Sequence, residues 1–180
     1  MGRYRPPEPE KTAIITAEGF GRLQQELNHL WKEKRPEVTA RVAAAAALGD
    51  RSENADYIYG KKQLAEIDRR IRYLDQRIRT LKIVDRLPSD SGKVYFGAWV
   101  TLTTAKGGDK ARYRLVGPDE IDDKAQYISI DSPMAKALLG KSLGDEIAVM
   151  QTTTSTRILS FEETTEPTRY RIDDIHYQSG

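Results

Sequence analysis

The feature that most constrains the fold is a stripe of branched apolar residues in the middle of the chain. Its members recur at alternating intervals of three and four residues, as in the a and d positions of a coiled coil. A stripe of this kind needs a second helix to cover it. It predicts a helix over residues 54–84, about 45 Å long at ~1.5 Å per residue. The residues of the stripe are Leu64, Ile67, Ile71, Leu74, Ile78 and Leu81.

The covering helix is predicted in the preceding segment, where apolar residues keep helical spacing from Phe20 to Ala45. Thr16 is a suitable N-cap for it. Pro36 has no backbone N–H, so we expect a kink or short break near Lys34–Arg35, with Pro36 in the first turn of the resumed helix.

A short connection joins the two predicted helices. Gly49 can end the first helix and Ser52 can cap the second, with Glu53 and Asp56 in its first turn. Because the connection is short, the helices must be antiparallel. The sequence thus predicts an α-helical hairpin over residues 13–87, whose tip at 48–56 projects into solvent.

The composition changes after the hairpin. Residues 88–92 are typical of a linker, and residues 93–180 predict a small α+β domain on a mostly antiparallel sheet. Asp131-Ser132-Pro133 predicts a cap and first turn for a short helix over Met134–Leu139. Residues 1–12 predict a disordered tail. The predicted strands are Val94–Leu102, Tyr113–Val116, Tyr127–Ile130, Glu146–Met150 and Tyr170–Tyr177.

Composition excludes several functional classes. The net charge of +2 excludes a uniformly basic nucleic-acid coat but permits a local basic stripe. The absence of cysteine removes disulfides, thiolate metal sites and cysteine nucleophiles. With only His29 and His176, a multi-histidine metal site is not expected. No apolar run approaches the ~20 residues of a membrane span, so we expect a soluble cytoplasmic protein.

The hairpin tip carries the first candidate site. Carboxylates at Asp50, Glu53 and Asp56 surround the turn, and Asp50 and Glu53 can point the same way. On spacing alone, ordinary compensation of the helix dipole is the favoured explanation of such residues. The functional alternative is a share of a Mg²⁺ site, since one or two carboxylates are a typical protein contribution. A hairpin tip has no pocket, so any chemistry there would take place inside another macromolecule's cleft.

Two further groups are candidates. Arg51, Lys61 and Lys62 lie near the tip, where they could meet a phosphate backbone. The turn formed by Asp131, Ser132 and Pro133 is either plain capping chemistry or an edge that docks on a partner.

Long, dispersed matches give the chain a family resemblance. It resembles the bacterial Gre family of transcript cleavage factors, and most closely the GreB branch. The matching segments are residues 35–38, 48–57, 61–62, 66–70, 81–85, 96–100, 116–117 and 127–135.

The resemblance implies an antiparallel coiled coil followed by an FKBP-like domain. It implies that the second domain docks, through the 131–133 turn, at the rim of the secondary channel of RNA polymerase. The coiled coil would then enter the channel, where Asp50 and Glu53 help to hold a Mg²⁺ ion of the polymerase active site. The chain would act as a monomer on the nascent RNA 3′ end, as an accessory factor that stimulates RNA cleavage in backtracked complexes and is not itself an enzyme.

Two alternatives remain open from the sequence. One is a non-catalytic channel binder that regulates transcription by occlusion. The other, suggested only by the FKBP-like fold, is a peptidyl-prolyl isomerase, for which fold alone is weak support. Two segments also depart from the family pattern: the N-terminal tail and residues 151–167, which are longer than the usual connection before the last strand.

Overall fold

The computed structural model describes residues 10–47, 54–105, 108–150 and 167–177. They form two compact units. One is the hairpin, Ala17–Lys82, and the other contains the described residues before Ala17 and from Ile83 onward. These boundaries lie inside the range 13–87 expected for the hairpin, because the segment before Ala17 joins the second unit.

The hairpin unit is helical. Its elements are α1 (Ala17–His29), a π-helical turn (Leu30–Lys34), α2 (Arg35–Ala47) and α3 (Ala55–Thr80). The second unit begins with the short strand β1 (Ile14–Ile15), which pairs with β2 (Lys82–Ile83). Its other elements are β3 (Trp99–Thr104), β4 (Lys110–Val116), β5 (Tyr127–Ser129), α4 (Pro133–Leu138), β6 (Glu146–Val149) and β7 (Thr168–His176).

The π-helical turn explains how the first helix accommodates a proline. Arg35 donates its N–H to the Leu30 carbonyl, five residues back, and Pro36 lies in the first turn of α2. In an uninterrupted α-helix, Val38 would lie about 80° around the axis from Leu30. The wider turn takes up one residue, about 100°, which returns Val38 to within about 20° of Leu30. The predicted irregularity near Lys34–Arg35 is therefore confirmed, and it preserves the apolar face.

The apolar faces meet in one cluster. Val38 is fully buried with Ile67 and Ile71, and the partly buried residues Leu27, Leu30, Val42 and Leu64 pack around them. Leu27 precedes the π-helical turn, Leu30 is its first residue and Val42 follows it. The antiparallel hairpin is thus confirmed as a continuous seam between the two helical arms.

The second helix is shorter than predicted. It begins at Ala55 and ends at Thr80, so its 26 residues span about 39 Å. Leu81 is extended and β2 follows at once, which places the last member of the stripe outside the helix. Strand pairing with β1 replaces the final turn that periodicity alone predicted.

All five predicted strands of the second unit are present. They form one sheet in the order β5-β4-β3-β7-β6, and only the β4–β5 pair is parallel. Val100, Leu102, Leu115 and Ile172 line one face, where Ala135 and Leu138 of α4 pack on them. The α+β class, with a helical hairpin and a mostly antiparallel sheet, is confirmed.

The N-terminal segment is built into this unit. The buried carboxylate of Glu120 accepts the N–H groups of Thr16 and Gly117, each at 3.0 Å, and the Thr16 hydroxyl. Gly117 allows this approach, since a Cβ there would lie 2.2 Å from the Ile14 carbonyl oxygen. Thr12 donates both its N–H and its hydroxyl to Asp131. The prediction of disorder through residue 12 is therefore wrong at Thr12, because a carboxylate distant in sequence holds it.

Tyr177 ties the end of the last strand to the start of the domain. Its hydroxyl donates to the Lys93 carbonyl (2.5 Å) and accepts the Tyr95 N–H (2.8 Å). Burial is the main cause that raises the pKa of this phenol above its ordinary value. A raised pKa means that the stabilisation is complete below the unfolded-state pKa, about 10, and is lost as the pH rises through the folded-state value.

We predict that Tyr177→Phe lowers the free energy of unfolding by about 1–3 kcal/mol at neutral pH, since two hydrogen bonds are lost. The difference from the unsubstituted protein should shrink above about pH 10, where the phenol ionises. Urea unfolding over a pH series measures both effects. Tyr59→Phe, at a 71% exposed position, is the matched control and should change nothing. A difference that stays constant to high pH would contradict this assignment.

Candidate functional site: the hairpin tip and the 131–133 turn

The acidic tip predicted from the sequence lies on a connection between two described helix ends. Asp50, Arg51 and Glu53 belong to residues 48–53, outside the described residues. The structure describes Ala47, where α2 ends, and Asn54, which directly follows Glu53. The site can therefore be built from the groups that hold these two ends.

Asn54 joins the two helix ends. Its side-chain oxygen accepts the Tyr57 N–H at 3.1 Å, which makes it the N-cap of α3. Its side-chain nitrogen donates to the Ala45 carbonyl at 2.9 Å, in the last turn of α2. One amide thus satisfies an unpaired donor of one helix and an unpaired acceptor of the other.

This arrangement corrects the prediction that Ser52 caps the second helix. Asn54 is extended and supplies the cap, so the helix begins at Ala55 and Glu53 precedes it. The signal was present in the sequence, since asparagine is among the best N-caps. Two cap-forming residues, Ser52 and Asn54, lie two positions apart and made the choice ambiguous, and the contact of Asn54 with Ala45 across the hairpin decided it.

Close packing behind Asn54 keeps the helices together. Gly60 faces Val42, and a Cβ at Gly60 would lie 2.6 Å from a Val42 methyl carbon. One turn further along, Arg41 donates to the Gln63 side chain at 2.9 Å. The two arms are therefore in close contact where Arg41 and Val42 meet Gly60 and Gln63.

The basic candidates on α3 are solvent-exposed. Lys61 and Lys62 lie about 10–12 Å along the helix axis from Asn54. Within the described ranges, no carboxylate lies within ion-pair distance of either ammonium group. Their charges are therefore available to an external anion. Tyr59, which the sequence argument did not single out, is also strongly exposed on this stretch.

The described part of the chain offers no metal site of its own. Among those residues, no group of three His, Asp or Glu side chains is placed to hold an ion. None of the helices in these same residues is long and apolar enough to cross a membrane.

The 131–133 turn is held by its own chain. The Ser132 hydroxyl accepts the Ala135 N–H at 3.2 Å as the N-cap of α4, with Pro133 in the first turn, as predicted. The Asp131 carboxylate accepts the Thr12 N–H at 2.9 Å. Of the three, Pro133 is the most exposed. The turn is thus hydrogen-bonded within its own unit and exposes Pro133, while Asp131 also positions the N-terminal segment.

Comparison with known proteins decides the family. Residues 13–83 match the family described as "Transcription elongation factor, N-terminal", and residues 89–163 match "Transcription elongation factor, GreA/GreB, C-term". The chain belongs to the GreA/GreB family of transcription elongation factors. The hairpin and the sheet unit correspond to its N-terminal and C-terminal parts.

Relatives within the GreA/GreB family are similar over most of their length. The transcription elongation factor GreB of Pseudomonas aeruginosa is 58% identical over 149 residues, covering 83% of this chain and 88% of the relative. GreB of Xanthomonas axonopodis pv. citri is 57% identical over 146 residues, covering 81% and 87%. Among solved structures, the transcription factor Gfh1 aligns over 93% of this chain and 99% of its own, with 24% identity and a TM-score of 0.42.

We predict that Asn54→Ala weakens the tip by about 1–2 kcal/mol, through the lost cap and the lost bond to Ala45. Hydrogen exchange of the Tyr57 and Ile58 amides measures this local opening. Asn54→Asp keeps the acceptor for Tyr57 but not the donor to Ala45, so it should lose less. Equal protection in Asn54→Ala and the unsubstituted protein would show that the cap does not hold the tip.

Proposed function

We propose that this protein binds RNA polymerase in the bacterial cytoplasm, as a monomer, and stimulates cleavage of the nascent RNA in backtracked complexes. In this proposal the hairpin enters the secondary channel and the sheet unit docks at its rim. The polymerase supplies the nuclease active site, and the protein is an accessory factor. The observation that carries the proposal is the pair of hydrogen bonds that the Asn54 side chain makes with Tyr57 and Ala45, here called the Asn54 tie. This tie holds both ends of the connection that bears Asp50 and Glu53.

The donor chemistry fits a shared magnesium ion. Asp50 and Glu53 would supply two carboxylates, a typical protein share of a Mg²⁺ shell. The remaining ligands would come from polymerase, RNA and water, since the described residues include no further cluster of suitable side chains. When bound, the ion would activate a water molecule and stabilise charge on the reacting phosphate.

The chain's own contribution is placement of the two carboxylates. The Asn54 tie and the Gly60–Val42 contact restrict the helix ends on either side of the connection. A restricted connection loses less conformational entropy when its side chains engage a ligand, which favours binding. The acids would thus arrive at the polymerase on a narrow, ordered support.

Arg51, Lys61 and Lys62 are proposed to bind the RNA 3′ segment. The two lysines are exposed on the first turns of α3, behind the acidic connection. Their positive charge offsets repulsion between the tip acids and RNA phosphates. The distance between these lysines and the tip is comparable to the Debye length of ~8–10 Å, over which salt screens such interactions. Asp131, Ser132 and Pro133 are proposed to dock on polymerase, with Pro133 as the exposed contact.

Replacing both tip acids should abolish stimulation. We predict that Asp50→Asn with Glu53→Gln lowers factor-stimulated RNA cleavage by about tenfold or more, because an ion and its water lose two anionic ligands. The assay uses a stalled, backtracked polymerase complex with Mg²⁺. Asp56→Asn removes an exposed carboxylate from the first turn of α3 and is the matched control.

The outcomes separate the competing functions. Loss of stimulation in the double variant alone, with polymerase binding intact, supports the proposal. Stimulation that survives the double substitution would refute the assigned role of Asp50 and Glu53. If the unsubstituted protein binds polymerase and inhibits without cleavage, and the variant inhibits equally, the protein regulates by occlusion.

Charge reversal of the lysines should act on RNA and not on docking. We predict that Lys61→Glu with Lys62→Glu weakens crosslinking of RNA to the factor. The slope of log affinity for RNA against log salt concentration should fall in magnitude by about 1.4, at ~0.7 per phosphate contact. Affinity for polymerase is measured in parallel. Arg69→Glu with Arg72→Glu, two exposed positions farther along α3, is the charge-matched control. An equal loss of affinity for polymerase would contradict the assignment of Lys61 and Lys62 to RNA binding.

A further inference from the structure

The solvent-facing side of the five-stranded sheet carries an unusual row of cations. Along β4, Lys110, Arg112 and Arg114 alternate with residues directed to the core, such as Tyr113 and Leu115. Because side chains two apart share a face, all three cations lie on one side, about 6.8 Å apart. That spacing is comparable with the step between phosphates of an extended nucleic-acid strand.

Aromatic rings cross this row. The register places Tyr127 of β5, Arg114 of β4, Trp99 of β3 and His176 of β7 side by side across four strands. The rings of Trp99 and Tyr127 meet edge to face, with centroids 5.7 Å apart. The face therefore combines two features of surfaces that bind single-stranded nucleic acids, cations and aromatic rings.

The arginines lie over these rings. The guanidinium carbon of Arg112 lies 4.5 Å from the centroid of Trp99, and that of Arg114 lies 5.3 Å from the centroid of Tyr127. Arg114 also donates to the Tyr127 hydroxyl at 3.0 Å. Stacking on a ring restricts a guanidinium, so less entropy is lost when it meets a ligand.

Arg112 is the group best placed to meet that ligand. It is exposed, and no carboxylate in the described parts of the chain lies within ion-pair distance of it. Beside it, the indole N–H of Trp99 is buried and has no hydrogen-bond acceptor among those residues. A guanidinium that is exposed, stacked on tryptophan and not neutralised by a carboxylate offers a ligand one planar face for stacking and several N–H hydrogen-bond donors.

We propose that this face of the sheet binds single-stranded RNA, with a base stacked on the Arg112 guanidinium and phosphates near Lys110 and Arg114. Bases stack on guanidinium planes as they do on aromatic rings, and an unpaired strand exposes them. A duplex keeps its bases inside the double helix, so it would interact only with the positive charges of this face. This surface lies in a different unit from the hairpin, and it requires neither the tip acids nor polymerase.

The test measures binding of a labelled, unstructured RNA oligomer to the full chain by fluorescence anisotropy, without polymerase. Lys61→Gln with Lys62→Gln in every protein removes the proposed contribution of the hairpin. In that background, Arg112→Gln should weaken RNA binding roughly fivefold or more, the lower end of what one stacked base contributes. Arg86→Gln removes the same charge from an exposed position outside the sheet and should have little effect.

Arg112→Lys separates stacking from charge. This variant keeps the positive charge and loses the planar guanidinium on which a base would stack. The dependence of RNA affinity on salt concentration should therefore be retained, while the affinity itself falls. Double-stranded DNA should bind more weakly than the RNA oligomer. Equal affinity for the duplex, full affinity in Arg112→Lys, or equal losses in Arg112→Gln and Arg86→Gln would each overturn the proposal. Since polymerase is absent, the result does not depend on whether the factor stimulates cleavage.

Discussion

The hairpin depends on an apolar seam that must stay continuous past a proline. Leu30 and Val38 are separated by eight residues, one more than the seven that a coiled-coil repeat requires. A straight α-helix would rotate Val38 away from α3. The π-helical turn at Leu30–Lys34 absorbs the extra residue, and Pro36 then costs little because it lies in the first turn of the next helix. The proline and the additional residue are thus accommodated by one local feature.

The seam also brings together the ends of the two helices that flank the tip. Since the arms stay in contact as far as Val42 and Gly60, the ends of α2 and α3 are close enough for the Asn54 side chain to bond both. These bonds support both ends of a six-residue connection that carries Asp50 and Glu53. In the proposed function, this support matters more than any pocket, because the remaining parts of the catalytic site belong to polymerase.

The sheet unit uses its two faces differently. One face packs Val100, Leu102, Leu115 and Ile172 against α4. The other collects the alternate residues of the same strands, including Trp99, Arg112 and Arg114. Successive side chains of a strand point to opposite faces of the sheet. The pattern that places every second residue in the core therefore also aligns the cations on the other face. The chain would then contact RNA through two independent surfaces, one on each unit.

The sequence by itself determined the elements whose signals are local. The stripe of α3, the break near Pro36, five strands and the Ser132 cap follow from periodicity, proline chemistry and capping, which depend on neighbouring residues. Tertiary structure decided what depends on partners far along the chain. Asn54 rather than Ser52 caps α3 because Ala45 is within its reach, Leu81 leaves the helix because β2 pairs with β1, and Thr12 is ordered by Asp131. The cation–aromatic face likewise required the strand order, because Trp99, Arg112 and Tyr127 become neighbours only when β3, β4 and β5 are paired.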